Sequence, residues 1–142
     1  LKGGGLGYGM AAALGVQLGR PDERVVAVVG DGSSLYYIQA LWDAARYRLP
    51  VIFLIANNTS YMILKGGILS LRSESAKRRV FPGMDLDQPA VDMVKLAESF
   101  GIDAFHIENA AQLSAALQEA FGQRKPYLLN VMIDRTPISV LS

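Results

Sequence analysis

VVAVVGDGSS, residues 25–34, is the stretch that decides the fold: a short β-branched run stops at a glycine-flanked aspartate, and a helical pattern follows. Residues 51–58, VIFLIANN, have a similar pattern: a second apolar run ends at two asparagines. Unbroken apolar runs are typical of central strands in a parallel sheet covered on both faces. Apolar residues recur at helical spacing between the two runs: Leu35, Ile38, Leu41, Trp42 and Ala45. The unit is therefore predicted to be strand, helix, strand.

The rest of the chain continues the alternation of helices and strands. Helices are predicted over residues 8–18, from Pro89 onward, and from an N-cap at Asn109 to Gly122. Further strands are predicted over residues 103–107 and 127–133. The pattern predicts an α/β fold with a doubly wound, mainly parallel sheet and helices on both faces. Residues 65–87 have the least regular pattern, so we expect a mobile segment there.

Composition limits what kind of protein this is. The chain has 142 residues, which suits one domain with a real core. Hydrophobic residues make up 51% and charged residues 19%, against a usual charged share of about 25%. Some of the surface is therefore expected to meet another domain or subunit. The chain opens at Leu1 with three glycines and no preceding element, so we expect residues 1–142 to be a C-terminal domain cut from a longer protein.

Charge and cysteine content exclude several function classes. The formal net charge of +1 gives no general field for nucleic acid or an anionic membrane, and the short basic run at residues 77–79 is expected to be a solvated face. The absence of cysteine excludes disulfides and cysteine-based metal sites, and it is compatible with the cytoplasm. No apolar run reaches the roughly 18 residues of a membrane span.

The loop after the first strand has the chemistry of an anion site. Glycines in Gly30-Asp31-Gly32-Ser33 let a ligand approach the backbone, and the free N–H groups at a helix start favour a phosphate. The Asp31 carboxylate would repel that phosphate unless a divalent cation lies between them, and Mg²⁺ is the usual bridge. The second strand ends in Asn57-Asn58, so a second oxygen ligand can converge there. Gly-Asp-Gly alone is a common turn, and only its context favours a site.

These motifs resemble those of a known enzyme family. The order of Gly-Asp-Gly-Ser, a helix, a strand and a paired Asn is similar to the thiamine diphosphate signature. Residues 4–8, the segment around Trp42 and Tyr47, and Pro50 resemble the benzoylformate decarboxylase branch of thiamine diphosphate-dependent enzymes. The resemblance covers most of residues 3–64 and identifies the chain as the diphosphate-binding, C-terminal domain of such an enzyme.

The resemblance also implies a role for individual residues. Asp31 and Asn58 would give side-chain oxygens to Mg²⁺, and Ser60 its backbone carbonyl. The backbone at Gly4 would meet the aminopyrimidine of the cofactor, and Leu6 would wedge beneath the bent cofactor. The residues implied to hold the diphosphate, next to the metal ligand Asp31, are Gly32, Ser33, Tyr36 and Tyr61.

The activity implied by the resemblance is decarboxylation of a 2-oxo acid to an aldehyde, a lyase reaction in which the cofactor is the electron sink. The activating glutamate of such enzymes comes from the N-terminal domain of a neighbouring subunit. A homodimer or homotetramer is therefore expected for the full-length protein, and this chain alone is expected to be inactive. Lys65-Gly66-Gly67 replaces aromatic and apolar residues of the branch and removes bulk from the expected substrate pocket, so an aromatic substrate is not favoured. Met62 replaces an expected glycine and is expected to reshape the wall near the phosphate.

Three alternatives compete with this hypothesis. Within the family, carboligation of the acetolactate synthase type is the main one. Outside it, the domain could bind thiamine diphosphate without catalysis, only to stabilise an assembly. Residues 7–12 also match the dinucleotide pattern G-x-G-x-x-A, but no predicted strand precedes them. The single histidine, His106, lies within a predicted strand and is interpreted as structural.

Overall fold

A computed structural model describes residues 5–136 of the chain, so the predicted cofactor contact at Gly4 lies outside the described residues. The helices are α1 (Tyr8–Gly19), α2 (Asp31–Ser34), α3 (Ala40–Arg46), α4 (Met62–Ser70), α5 (Glu74–Arg78), α6 (Met93–Ser99) and α7 (Ala110–Gly122). The strands are β1 (Val26–Gly30), β2 (Ile52–Asn57), β3 (Asp103–Ile107) and β4 (Tyr127–Met132). Among the described residues, no helix is both long and apolar enough to cross a membrane.

The four strands form one parallel sheet in the order β1-β2-β4-β3. Helices α1, α3 and α6 cover one face, where the larger core includes Met10, Leu41, Phe53 and Leu128. Helix α7 covers the other face over β3 and β4, around Tyr127. The predicted α/β class, with a parallel sheet and helices on both faces, is confirmed.

The crossover between β1 and β2 is less regular than predicted. Its apolar spacing suggested one helix, but the chain forms α2, a 3₁₀ turn over Leu35–Tyr37, and then α3. Gly32, Ser33 and Ser34 are poor helix formers in the first turn. The buried Ser34 hydroxyl donates to the Asp31 carbonyl at 2.7 Å, a local bond of the kind that competes with regular helix.

Strand β1 does not have both faces covered, as its apolar run had predicted. Its residues alternate between exposed and buried, and Val28 keeps 69% of its surface accessible. The reason is position: β1 is the edge strand at the end of the sheet away from α7.

The start of helix α6 was predicted wrongly. Helix α6 begins at Met93 rather than near Pro89, because the Asp92 side chain accepts the N–H of Lys95 and caps the helix there. Residues 65–87 are more regular than expected, since α4 runs through both of its glycines and Ser73 caps α5. By contrast, β3 and the Asn109 cap of α7 are confirmed.

The turn into α1 generates a stability prediction. Gly7 caps α1 with φ of 82°, and a Cβ there would lie 3.0 Å from the Tyr36 Cβ. Gly7→Ala should lower the free energy of unfolding by about 1–2 kcal/mol or more, since both the left-handed backbone and the contact oppose it. Gly15→Ala, inside α1 with open space at its Cβ, should raise it by about 0.5–1 kcal/mol. Urea unfolding measures both, and equal effects would contradict the assigned backbone of Gly7.

Candidate functional site

The two predicted site loops leave the sheet side by side. Strands β1 and β2 are parallel, and Gly30 pairs in register with Ala56. Asp31 and Asn57 are the next residues, so the loops begin about one strand spacing apart, near 4.8 Å. The structure thus brings together, at the C-terminal ends of β1 and β2, the two loops that the sequence spacing had predicted to lie side by side.

Asp31 is a buried carboxylate that the described protein leaves partly unsatisfied. Only 5% of the residue is exposed, and its Oδ2 atom is buried with no hydrogen-bond partner. Burial raises the pKa of this carboxyl group, and the backbone N–H groups of Gly32, Ser60 and Thr59 oppose that rise only in part. The carboxylate therefore lies near the backbone of Thr59 and Ser60, whose N–H groups donate to asparagine side chains of their own loop. A buried oxygen of this kind fits a cation, because an unpaired charge away from water is costly.

The loop after β2 is held by its own asparagines. The Asn57 Oδ1 accepts the N–H of Thr59 at 2.9 Å, and the Asn58 Oδ1 accepts the N–H of Ser60 at 3.1 Å. Thr59 has φ of 50°, in the left-handed region, which is uncommon for a β-branched residue. The side chain of Asn58 therefore turns back onto its own loop, and its oxygen has a second lone pair available.

A second segment, residues 84–86, crosses this loop and is called the strap below. Tyr61 N–H donates to the Met84 carbonyl at 2.9 Å, and Leu86 N–H donates to the Thr59 carbonyl at 2.7 Å. Ser60 forms an isolated antiparallel bridge with Asp85. The strap thus fixes the backbone of the loop at residues 59–61.

The strap is anchored by an ion-pair cluster that sequence analysis missed. The buried Lys65 Nζ lies 2.5 Å from the Asp85 carboxylate, which Arg135 also contacts at 2.8 Å. The hydrogen bond from Lys65 is the main cause that lowers the pKa of Asp85. Lys65 had been considered only as a loss of substrate-pocket bulk. No local pattern joins Lys65 to an aspartate so far along the chain, so the sequence carried no signal for this pair.

The implied diphosphate residues fall in two groups around the start of α2. In one, Gly32 lies against Tyr61, because a Cβ on Gly32 would be 2.5 Å from the Tyr61 Cε1. In the other, the Ser33 hydroxyl oxygen accepts the N–H of Gly7 at 3.1 Å and ties the N-terminal turn to the site.

Leu6 and Tyr36 lie at the edge of the second group. The exposed side chain of Leu6 lines an open cavity together with Val28, Gly30 and Ser33. Tyr36 is also exposed, and its Cβ lies beneath Gly7. Both residues are therefore near Ser33, and neither touches Asp31 through a described hydrogen bond.

The metal-binding potential of the site depends on mixed oxygen donors. Within residues 5–136, no cluster of three or more His, Cys, Asp or Glu side chains could hold an ion. A cation at Asp31 would therefore need amide or carbonyl oxygens from residues 58–60 in addition to the carboxylate. Oxygen sets of this kind, completed by phosphate and water, suit Mg²⁺.

Comparison with known proteins gives a consistent result. Residues 3–131 match the family model for the thiamine pyrophosphate enzyme, C-terminal TPP binding domain. The chain is 38% identical over 130 residues to benzoylformate decarboxylase of Pseudomonas aeruginosa, covering 90% of this chain and 23% of that protein. It is 35% identical over 132 residues to the acetolactate synthase isozyme 2 large subunit of Escherichia coli, covering 92% of this chain and 23% of that protein.

A solved structure agrees in shape. The thiamine diphosphate-dependent 4-hydroxybenzoylformate decarboxylase of Rhodococcus jostii matches with a TM-score of 0.79 and 35% identity, over 92% of this chain and 24% of that one. The chain thus spans about a quarter of the length of the relatives that it matches. With a family model that covers nearly all of the described residues, the chain belongs to the thiamine pyrophosphate enzyme family and is its C-terminal, TPP-binding domain.

Proposed function

We propose that the protein containing this chain is a thiamine diphosphate- and Mg²⁺-dependent 2-oxo acid decarboxylase, and that this chain supplies the diphosphate and metal site. The observation that carries the proposal is the buried, unpartnered Oδ2 of Asp31 beside the Thr59–Ser60 backbone. A divalent cation there would satisfy the carboxylate and allow a diphosphate to bind next to it.

The chain's own residues would bind and orient the cofactor. Asp31, Asn58 and the Ser60 carbonyl would hold the ion. The strap and the hydrogen bond from the Ser60 N–H to the Asn58 side chain already fix the loop that carries the last two. Gly32 and Ser33 would approach the diphosphate, because neither carries bulk at the start of α2.

Aromatic and apolar residues would complete the cofactor site. Tyr61 packs over Gly32, and the Cβ of Tyr36 lies against Gly7, whose N–H donates to the Ser33 hydroxyl, so both tyrosines would border the diphosphate. Leu6, exposed beside Gly30, would support the bent cofactor, while Gly4 is outside the described residues. When bound, thiamine diphosphate would supply a thiazolium ring whose deprotonated C2 adds to the carbonyl of a 2-oxo acid, and the ring would accept the electron pair left by departing carbon dioxide.

Exposed apolar side chains on the chain support an oligomeric full-length protein. Large apolar side chains are exposed along β1 and the first helices, including Val28, Tyr8, Leu18 and Trp42. Patches of this kind are usually covered by another domain or subunit. The activating glutamate would come from such a partner, in a homodimer or homotetramer of the cytoplasm.

A second candidate activity is carboligation, in which two 2-oxo acid molecules are joined after the loss of carbon dioxide. The observation that favours it is the 35% identity to an acetolactate synthase large subunit, close to the 38% identity to benzoylformate decarboxylase. The two activities differ in product, an aldehyde in one case and an acetohydroxy acid in the other.

The first prediction from this function concerns products. The full-length protein, supplied with thiamine diphosphate and Mg²⁺, should release carbon dioxide and an aldehyde from at least one member of a panel of aliphatic and aromatic 2-oxo acids. Acetohydroxy acid as the main product would favour the carboligase. Cofactor binding with no release of carbon dioxide from any substrate would instead support the non-catalytic module.

The second prediction concerns Asp31→Asn. Without metal, the variant should be more stable than wild type by on the order of 1 kcal/mol, because a buried unpaired charge becomes a neutral amide. With Mg²⁺, it should bind thiamine diphosphate at least about 10-fold more weakly, through loss of a metal ligand. Urea unfolding in chelator and calorimetric titration measure the two effects.

The control is Asp103→Asn, at the opposite edge of the sheet, where an exposed carboxylate pairs with Lys125. It should change stability by no more than about 0.5 kcal/mol and leave cofactor affinity unaltered. An Asp31→Asn protein with wild-type affinity for the cofactor would rule out the proposed metal site.

A further inference from the structure

A row of hydrogen-bonded side chains connects the loop after β2 to the far edge of the sheet. The Asn57 Nδ2 donates to the Asn130 Oδ1 at 2.9 Å, and the Asn130 Nδ2 lies 3.1 Å from the Nδ1 of His106. Asn57 and Asn130 are each only 4% exposed, while His106 is at the surface. We call Asn57, Asn130 and His106 the polar row.

The polar row follows from the strand register. Asn130 on β4 pairs with His106 on β3 and with Ile55 on β2, and Asn57 lies two residues beyond Ile55. All three side chains therefore point to one face, since strands alternate with a period of two. This is the face of the larger core, so the polar row replaces apolar side chains where the core ends. It also borders an open cleft of about 500 Å³ beside α6.

The direction of every bond in the polar row is set by one backbone group. The Thr59 N–H can only donate, so the atom of Asn57 that faces it must be Oδ1. The Nδ2 of Asn57 therefore faces Asn130, whose facing atom must be the acceptor Oδ1. That leaves the Nδ2 of Asn130 toward His106, whose Nδ1 must then accept. Neutral His106 with its proton on Nε2 is the form that completes the row.

We propose that Asn130 is a positioning residue for the metal site, acting through the amide of Asn57; this rests on the proposed function. Without the Asn130 acceptor, the buried Nδ2 of Asn57 loses its partner, so the Asn57 amide can turn toward the open cleft and weaken its bond to the Thr59 N–H. Thr59 has a left-handed backbone, so it depends on that bond to keep its conformation. Ser60, whose carbonyl is the proposed metal ligand, is the next residue.

The main test compares Asn130→Ala with Gln17→Ala in the full-length protein. Gln17 is also a fully buried amide, and it bonds to the Arg20 and Glu23 carbonyls near the start of β1, at the opposite edge of the sheet. Both variants lose buried hydrogen bonds and should be less stable. Only Asn130→Ala should raise the Mg²⁺ concentration for half-saturation of thiamine diphosphate binding, by about 10–100-fold. Equal shifts in the two variants would overturn the proposal.

The conservative variant Asn130→Asp should preserve the Mg²⁺ affinity that Asn130→Ala loses. Asn130→Asp keeps an oxygen for the Asn57 Nδ2, so its Mg²⁺ half-saturation should stay within about 3-fold of wild type. Its second oxygen cannot donate, so His106 must place a proton on Nδ1. A loss of Mg²⁺ affinity in Asn130→Asp equal to that in Asn130→Ala would contradict a role through the Asn57 amide.

The histidine provides a readout that does not depend on cofactor. With ¹⁵N-labelled histidine, and with His106→Gln to assign the signal, wild type should show the Nε2–H tautomer and Asn130→Asp a protonated Nδ1. A wild-type Nδ1–H tautomer would overturn the bond directions and the proposal with them. If wild type shows the expected tautomer but binds no thiamine diphosphate with Mg²⁺, the proposed function fails while the polar row stands.

Discussion

The site depends on one unfavourable arrangement: the carboxylate of Asp31 is buried against the backbone of Thr59 and Ser60, with one oxygen left without a partner. A protein that only needed to be stable would replace or pair such a group. The elements around it hold it in place. Parallel pairing of β1 with β2 sets the two loops side by side, and the strap closes over the second loop. The structure therefore presents a buried carboxylate oxygen, Asp31 Oδ2, that has no hydrogen-bond partner and that a bound cation would satisfy.

Much of this could be predicted from the sequence because the determining signals are local. Two unbroken apolar runs predicted two adjacent parallel strands, and the polar residues that follow both runs predicted the end of the sheet where the loops after β1 and β2 begin side by side. The N-cap at Asn109 and the apolar stripe of α7 could also be predicted from the sequence. Where the local preferences of the residues agree with the fold, the sequence pattern is sufficient to predict the element.

The remaining features depend on contacts between distant parts of the chain. Lys65 is buried because Asp85 pairs with it, and nothing in the neighbouring sequence indicates that partner. The glycines of α4 suggested a loop, yet the segment is helical, so tertiary packing outweighs a weak propensity. The exposed face of β1 could not be foreseen either, because an edge strand and a central strand can share one apolar pattern. The two amides of the polar row meet only through the register of β2 and β4.

The most direct test of the central claim is a crystal structure of the full-length protein with thiamine diphosphate and Mg²⁺. The account predicts one ion bound at about 2.0–2.1 Å by a carboxylate oxygen of Asp31 and the side-chain oxygen of Asn58, with diphosphate oxygens completing its coordination. A bound cofactor whose ion contacts neither residue would contradict it.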